Sequence, residues 1–152
     1  MAGVTASLTT EGLDAAIKRL NRLEGFQMAE LTDGAGSILE TSTRDRFQTK
    51  IAPDGTAWVP WSEAYDDTRS ARHSLLVGDS PDPLHDSIAF YSTGGEVGEV
   101  HVGSNLIYAA HHHFGGDEIG SGIPARPYLG ISHEDEIELA DLVKGKLEEL
   151  LQ

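Results

Sequence analysis

Apolar residues recur at helical spacing in three stretches of this chain and at strand spacing in one, and that order limits the fold. Leu13, Ala16, Ile17, Leu20 and Leu23 mark a short amphipathic helix, with Thr10 as its N-cap and Gly25 as its stop. Met28, Leu31, Ala35, Ile38, Leu39, Ser42 and Phe47 predict a longer one from about Gln27 to Lys50. Gly34 and Gly36 weaken it by about 1 kcal/mol each relative to Ala, so they mark a kink or a close contact. Ile137, Leu139, Leu142, Val143, Leu147, Leu150 and Leu151 predict a third helix from about His133 to Leu151. Ser132 is its N-cap, and Glu134, Asp135 and Glu136 sit where the helix dipole favours acid.

Between these helices the period changes to two. Leu84 to Tyr91 puts Ile88 and Phe90 on one face, Gly94-Gly95 makes a turn, and Glu96 to Val102 puts Val100 and Val102 on one face. That is a β-hairpin pattern. The fold class expected is α+β: a small antiparallel sheet including a β-hairpin, packed against N- and C-terminal helices, which cover one of its faces. Pro53-Asp54-Gly55-Thr56 is a turn, residues 62–72 hold a helical turn or two, and Gly78 to Pro83 is a loop. Ser104-Asn105 can cap a short helix ending at Phe114, with Gly115 closing it in the left-handed region. Pro124 and Pro127 make residues 123–131 an edge strand or an extended segment.

At 152 residues the chain suits one domain, 1–152, with an N-terminal helical part at about 10–50 and the hairpin and C-terminal helix at about 84–151. It has no cysteine, which excludes a disulfide framework and a thiolate nucleophile. Met1 to Thr10 has neither a basic region nor an apolar run, so no signal peptide is expected, and no stretch is long and apolar enough to predict a membrane span. The net charge is −14, of which −11 falls in residues 77–152. Binding duplex phosphate by charge needs the opposite sign, so neither sequence-specific nucleic-acid recognition nor docking on anionic lipid is expected.

The chemical motifs are sparse. His111-His112-His113, with Asp117 and Glu118 nearby, is the one candidate metal cluster. On a strand His111 and His113 share a face; on a helix successive residues splay by about 100° and cannot chelate together. Gly-x-Ser-x-Gly and a phosphate-binding loop are both absent, and Gly120-Ser121-Gly122 reads as a flexible loop tip. No catalytic residue, metal or cofactor is assigned. The alternative kept beside this is a small metal-dependent hydrolase using His111, His113, Asp117 and Glu118.

A set of short motifs in fixed order carries more. It runs Arg46-Phe47, Pro53-Asp54-Gly55-Thr56-Ala57-Trp58, Leu75-Leu76, Leu84-x-x-Ser87-Ile88 and Val102-Gly103-Ser104-Asn105. Tyr108-Ala109-Ala110-x-His112-x-Phe114-Gly115 follows, and Ile123-Pro124-Ala125-Arg126-Pro127-Tyr128-Leu129-Gly130 precedes the terminal helix. From about residue 40 onward the chain resembles the phage virion morphogenesis family, the tail-completion proteins of contractile-tailed phages and prophages. It departs from the family's pattern at His113, where a glutamine is usual, and in the longer loop Gly78 to Pro83.

The resemblance implies a non-enzymatic structural protein of the virion neck or tail end, made in the host cytoplasm. Its implied partners are itself, as a ring that is commonly hexameric, and the tail tube or sheath and head connector proteins. DNA would pass through the lumen without specific binding, and a lumen of like charge repels it. The candidate interface residues are Arg126, Pro124, Pro127, Tyr128, Trp58 and Trp61. Arg126 is the only basic residue between Arg72 and Lys144. A carboxylate partner is expected for it, either on the next subunit or within the chain. Trp58 or Trp61 is expected to be buried against the helix bearing Phe47.

Overall fold

A computed structural model describes residues 28–94 and 98–152 and, before them, Ala15 and Lys18, both helical and exposed. The rest of the first predicted helix lies outside the described residues. The elements are α1 (Met28–Thr49), α2 (Glu63–Asp66), β1 (Ala89–Thr93), β2 (Glu99–Gly103), α3 (Ala109–Phe114) and α4 (His133–Leu151). A 3-10 turn, Asp117–Ile119, follows α3. The class is α+β, as the periodicities predict.

Helix α1 is the centre of the arrangement. The hairpin packs on one side of it and α4 on another, while α4 makes no packing contact with the strands. Among the described residues the hairpin packs on α1, and α4 joins the same assembly by packing on α1 in turn. The two glycines of α1 mark close contacts. A Cβ on Gly34 would stand 3.0 Å from a Leu142 methyl of α4, and one on Gly36 would stand 2.1 Å from the Phe90 ring of β1. The helix accepts a weaker propensity there so that two neighbours can approach its backbone.

β1 and β2 pair antiparallel in the register Ala89↔Gly103, Phe90↔Val102, Tyr91↔His101, Ser92↔Val100 and Thr93↔Glu99. Phe90, Ser92, Val100, Val102 and Gly103 are the half-buried positions of the two strands, and Tyr91 stacks on His101 outside at 4.7 Å. The first strand begins later than predicted. Residues 84–87 are a turn, in which the Ser87 N–H donates to Leu84 O and the Ser87 hydroxyl to the same oxygen at 2.6 Å. Pro83 fixes the turn, so Leu84 and Ile88 enter the core from it rather than from a ladder. The free edge of β1 is held by α1: the Phe90 N–H donates to Glu40 Oε2 at 3.1 Å, and Arg44 Nη2 donates to Ile88 O at 2.7 Å.

The core is Phe47, Ala52, Trp58, Leu84, Ile88, Ala109 and Tyr128. Phe47 is its hub, with Trp58 edge-on at 5.6 Å and Tyr128 at 5.3 Å. Trp58 is thus buried against the helix bearing Phe47, as expected. After α1, Lys50 adopts a left-handed φ of 61° and its ammonium donates to Leu75 O at 2.8 Å. The Asp54 carboxylate accepts the Thr56 N–H at 2.9 Å while Gly55 takes φ 86°, the turn that the sequence predicts.

Two local readings need correction. α3 starts at Ala109 with Tyr108 before it and no side-chain cap; the Ser104 hydroxyl accepts the Leu106 N–H at 3.1 Å instead, one turn early. Gly115 has φ 82° and ψ 176°, which is not the left-handed helical region but one that glycine alone adopts. A Cβ there would meet Ala125 N at 2.8 Å, so the bare backbone lets residues 123–125 pass close by.

Candidate functional site

Two arginines, one from α1 and one from the extended segment 123–131, organise the polar chemistry of the chain. Arg46 and Phe47 are adjacent on α1, and both are buried. Phe47 turns to the aromatic core, while Arg46 reaches the start of α4. Arg46 Nη1 donates to Tyr128 O at 2.8 Å and Gly130 O at 3.0 Å; Nη2 donates to Ser42 Oγ at 2.9 Å and Asp135 Oδ2 at 2.6 Å. Asp135 also closes a capping box with Ser132: it accepts the Ser132 N–H at 2.8 Å, and its own N–H donates to Ser132 Oγ at 3.2 Å. Burial pushes the Asp135 carboxyl up, but the Ser132 N–H, the Ser42 and Ser132 hydroxyls and the Arg46 guanidinium outweigh it and hold its pKa below the ordinary value. One guanidinium thus ties α1, the segment ending at Gly130 and the first turn of α4 together.

Arg126 also lies inside the protomer, 4% exposed. Its Nε donates to Val59 O at 2.8 Å and its Nη2 to Pro60 O at 3.2 Å, while its own N–H donates to His112 O at 2.9 Å. Among the described residues no carboxylate lies within ion-pair distance of it; backbone carbonyls take its place there. The reason is local: the irregular segment at Val59-Pro60 has carbonyls without a ladder, and the guanidinium satisfies them. The other candidate interface residues divide by burial. Trp58 and Tyr128 belong to the core. The Trp58 Nε1–H donates to Pro127 O at 2.8 Å, and the Tyr128 hydroxyl donates to Ala109 O at 2.7 Å. Burial pushes the Tyr128 pKa up to about 12. Trp61 and Pro124 are half-buried and Pro127 is exposed.

Trp61 and Pro124, with Val59, Pro60, Tyr65 and Ile123, line a groove of about 710 Å³ whose floor holds Arg126 and His112. Trp61 meets Tyr65 edge-on at 5.5 Å, and the Arg69 guanidinium stacks 4.3 Å from the Trp61 ring. Burial, then the charges of His111 and Arg126, lower the pKa of His112, and its Nδ1 has no partner among the described residues.

The histidine run does not converge. α3 is helical, so its three imidazoles splay. His111 Nε2 meets Ser121 Oγ at 2.9 Å. His113 Nδ1 accepts the N–H groups of Tyr128 and Leu129 at 3.3 and 3.4 Å, which requires a neutral ring with its proton on Nε2. Burial lowers the pKa of His113 accordingly. Asp117 and Glu118 lie on the exposed 3-10 turn, and no group of three metal-binding side chains forms among the described residues. The cluster proposed for a metal-dependent hydrolase is therefore not assembled. Ser121, read as part of a flexible tip, is tied by its hydroxyl to His111 and by its N–H to Gly116 O at 3.0 Å. Sequence reasoning missed Asp135 as an ion-pair partner; its capping position was the available signal, but nothing local points to Arg46.

The sequence matches the phage virion morphogenesis family over residues 8–148. It is 32% identical over 123 residues to the protein named "Putative capsid assembly protein G" of Escherichia phage Mu, covering 76% of this chain and 77% of that one. No solved structure matches. Spanning nearly its whole length with the motifs that build the Arg46 clamp and the Arg126 groove, the chain belongs to the phage virion morphogenesis family.

Proposed function

We propose that this protein is a non-enzymatic structural component of the virion neck, a tail-completion or head–tail connector subunit. It assembles into a closed ring, commonly hexameric, that joins the tail tube to the head and lets DNA pass. The observation that carries the reading is the family match over residues 8–148. The capsid-assembly name of the phage Mu relative supports an assembly role more broadly. Charge supports the rest: with 25 acidic side chains against 11 basic ones, a ring of this chain repels the phosphates of DNA in transit. A ring of identical subunits needs head-to-tail interfaces that close.

The test is electron microscopy of particles made without the protein. The reading expects tails without heads, with ragged ends, or heads that are empty or leaking, and restoration by the wild-type chain. Normal, filled and joined particles contradict it.

A further inference from the structure

We propose that the Arg126 groove is the acceptor half of a head-to-tail contact between copies of this chain, and that the outward face of α4 on the next copy is the donor, with Asp141 supplying the carboxylate that meets Arg126. This rests on the ring reading above and names its interface.

The acceptor is an incomplete ion pair in an apolar setting. Nε and Nη2 of Arg126 are taken by the Val59 and Pro60 carbonyls, while Nη1 has no partner among the described residues. A nearly buried cation with no counter-charge is costly, and this one faces a groove walled by Trp61, Tyr65, Ile123 and Pro124. In a chain of net charge −14, an unpaired guanidinium at the floor of an apolar groove fits a carboxylate carried on an apolar surface.

α4 offers that surface. Its inner side meets α1, through Leu142 against Gly34 and Lys146 to Glu30 at 3.3 Å. At about 100° per residue, Ile137, Leu147 and Leu151 fall on the far side from Leu142, with Lys144 among them, and all three apolar side chains are exposed. Three exposed apolar side chains among charged ones give α4 a mixed outer surface of the kind that meets a partner. Asp141 lies at the edge of this stripe, one turn after Ile137. Glu148, beside it, pairs with Lys144 at 3.9 Å, whereas Asp141 makes no ion pair among the described residues. The two halves share no residue. Pairing like with like across a two-fold axis would set Arg126 against Arg126, so the charges favour a heterologous contact, the kind that closes rings.

The chain has no cysteine, so engineered thiols report without background. Tyr65→Cys marks the groove rim and Leu147→Cys the α4 stripe; both side chains are solvent-exposed, so folding should survive, and a thermal melt checks it. Each full-length variant alone, and the two mixed, are treated with a short bismaleimide, in solution and in assembled particles. The inference expects a covalent dimer from the mixture and none from either variant alone. Asp141→Lys in the Leu147→Cys chain should cut the yield about tenfold, with Asp141→Glu retaining it and the melt unchanged. Homodimers from either variant alone overturn the inference, as does a mixture that fails to cross-link where the wild type self-associates; the latter leaves the ring reading intact. A wild type that self-associates neither in solution nor in particles overturns both.

Discussion

Arg46 and Asp135, 89 positions apart, meet at 2.6 Å with both side chains buried, and the contacts of Ser42, Tyr128 O, Gly130 O and Ser132 are arranged around that pair. Breaking a buried pair strands the remaining charge, at about 3–5 kcal/mol. Arg46→Met should cost that much in urea unfolding, since Tyr128 O and Gly130 O also lose their donor. The double variant Arg46→Met/Asp135→Asn should cost less than the two single losses added together. A loss below about 1 kcal/mol for Arg46→Met would show that the junction holds without the clamp.

Trp58 tests the core. Its ring packs edge-on to Phe47, and its indole N–H bonds Pro127 O. Trp58→Ala should lower stability by about 3–5 kcal/mol, and Trp58→Phe by less, because it keeps most of the packing. Equal losses in the two variants would place the energy in the hydrogen bond instead.

His113 gives the protein a pH dependence. Its folded-state pKa is lowered by burial, so the unfolded chain binds the proton first as pH falls. The stability present above about pH 6.5 should then decline as pH drops below that value toward the folded pKa. His112, lowered in the same direction, adds to the slope. His113→Gln keeps an acceptor for the Tyr128 and Leu129 N–H groups and should flatten the slope at little cost. His113→Leu leaves both unpaired, at about 1–3 kcal/mol each. Melting temperatures between pH 7 and 5 decide this; a slope unchanged in His113→Gln assigns the effect to His112 or elsewhere.

Two glycines in helices should respond oppositely to alanine. A Cβ at Gly36 collides with Phe90, while one at Gly145 meets nothing. Gly36→Ala should destabilise by about 1–3 kcal/mol through displacement of β1. Gly145→Ala should stabilise by up to about 1 kcal/mol through helix propensity. Matching thermal melts of the two variants would refute the packing assigned to α1.

What was legible in the sequence follows from the range of each interaction. α1 and α4 show in their periodicity, and the Ser132–Asp135 box in its spacing, because those are contacts within one turn. The start of β1 was misplaced because Ile88 continues the strand alternation while Pro83 and Ser87 have already made a turn. The Arg126 groove was half visible. The stiffness of Pro124 to Pro127 and the isolation of the cation could be read, but not that the carbonyls of Val59 and Pro60 would reach it from 67 and 66 positions away. The histidine run misled for the same reason: adjacency in sequence suggested a shared site, and a helical turn sent each ring to a different neighbour.

The central claim is that this chain is built into the virion as a ring between head and tail, and copy number per particle measures it most directly. Quantitative mass spectrometry of purified particles, against the major capsid protein as standard, should find about six copies per particle, the number for a closed hexameric ring. Absence from mature particles, or a count that scales with the capsid lattice, would contradict the account and make the protein an assembly factor rather than part of the neck.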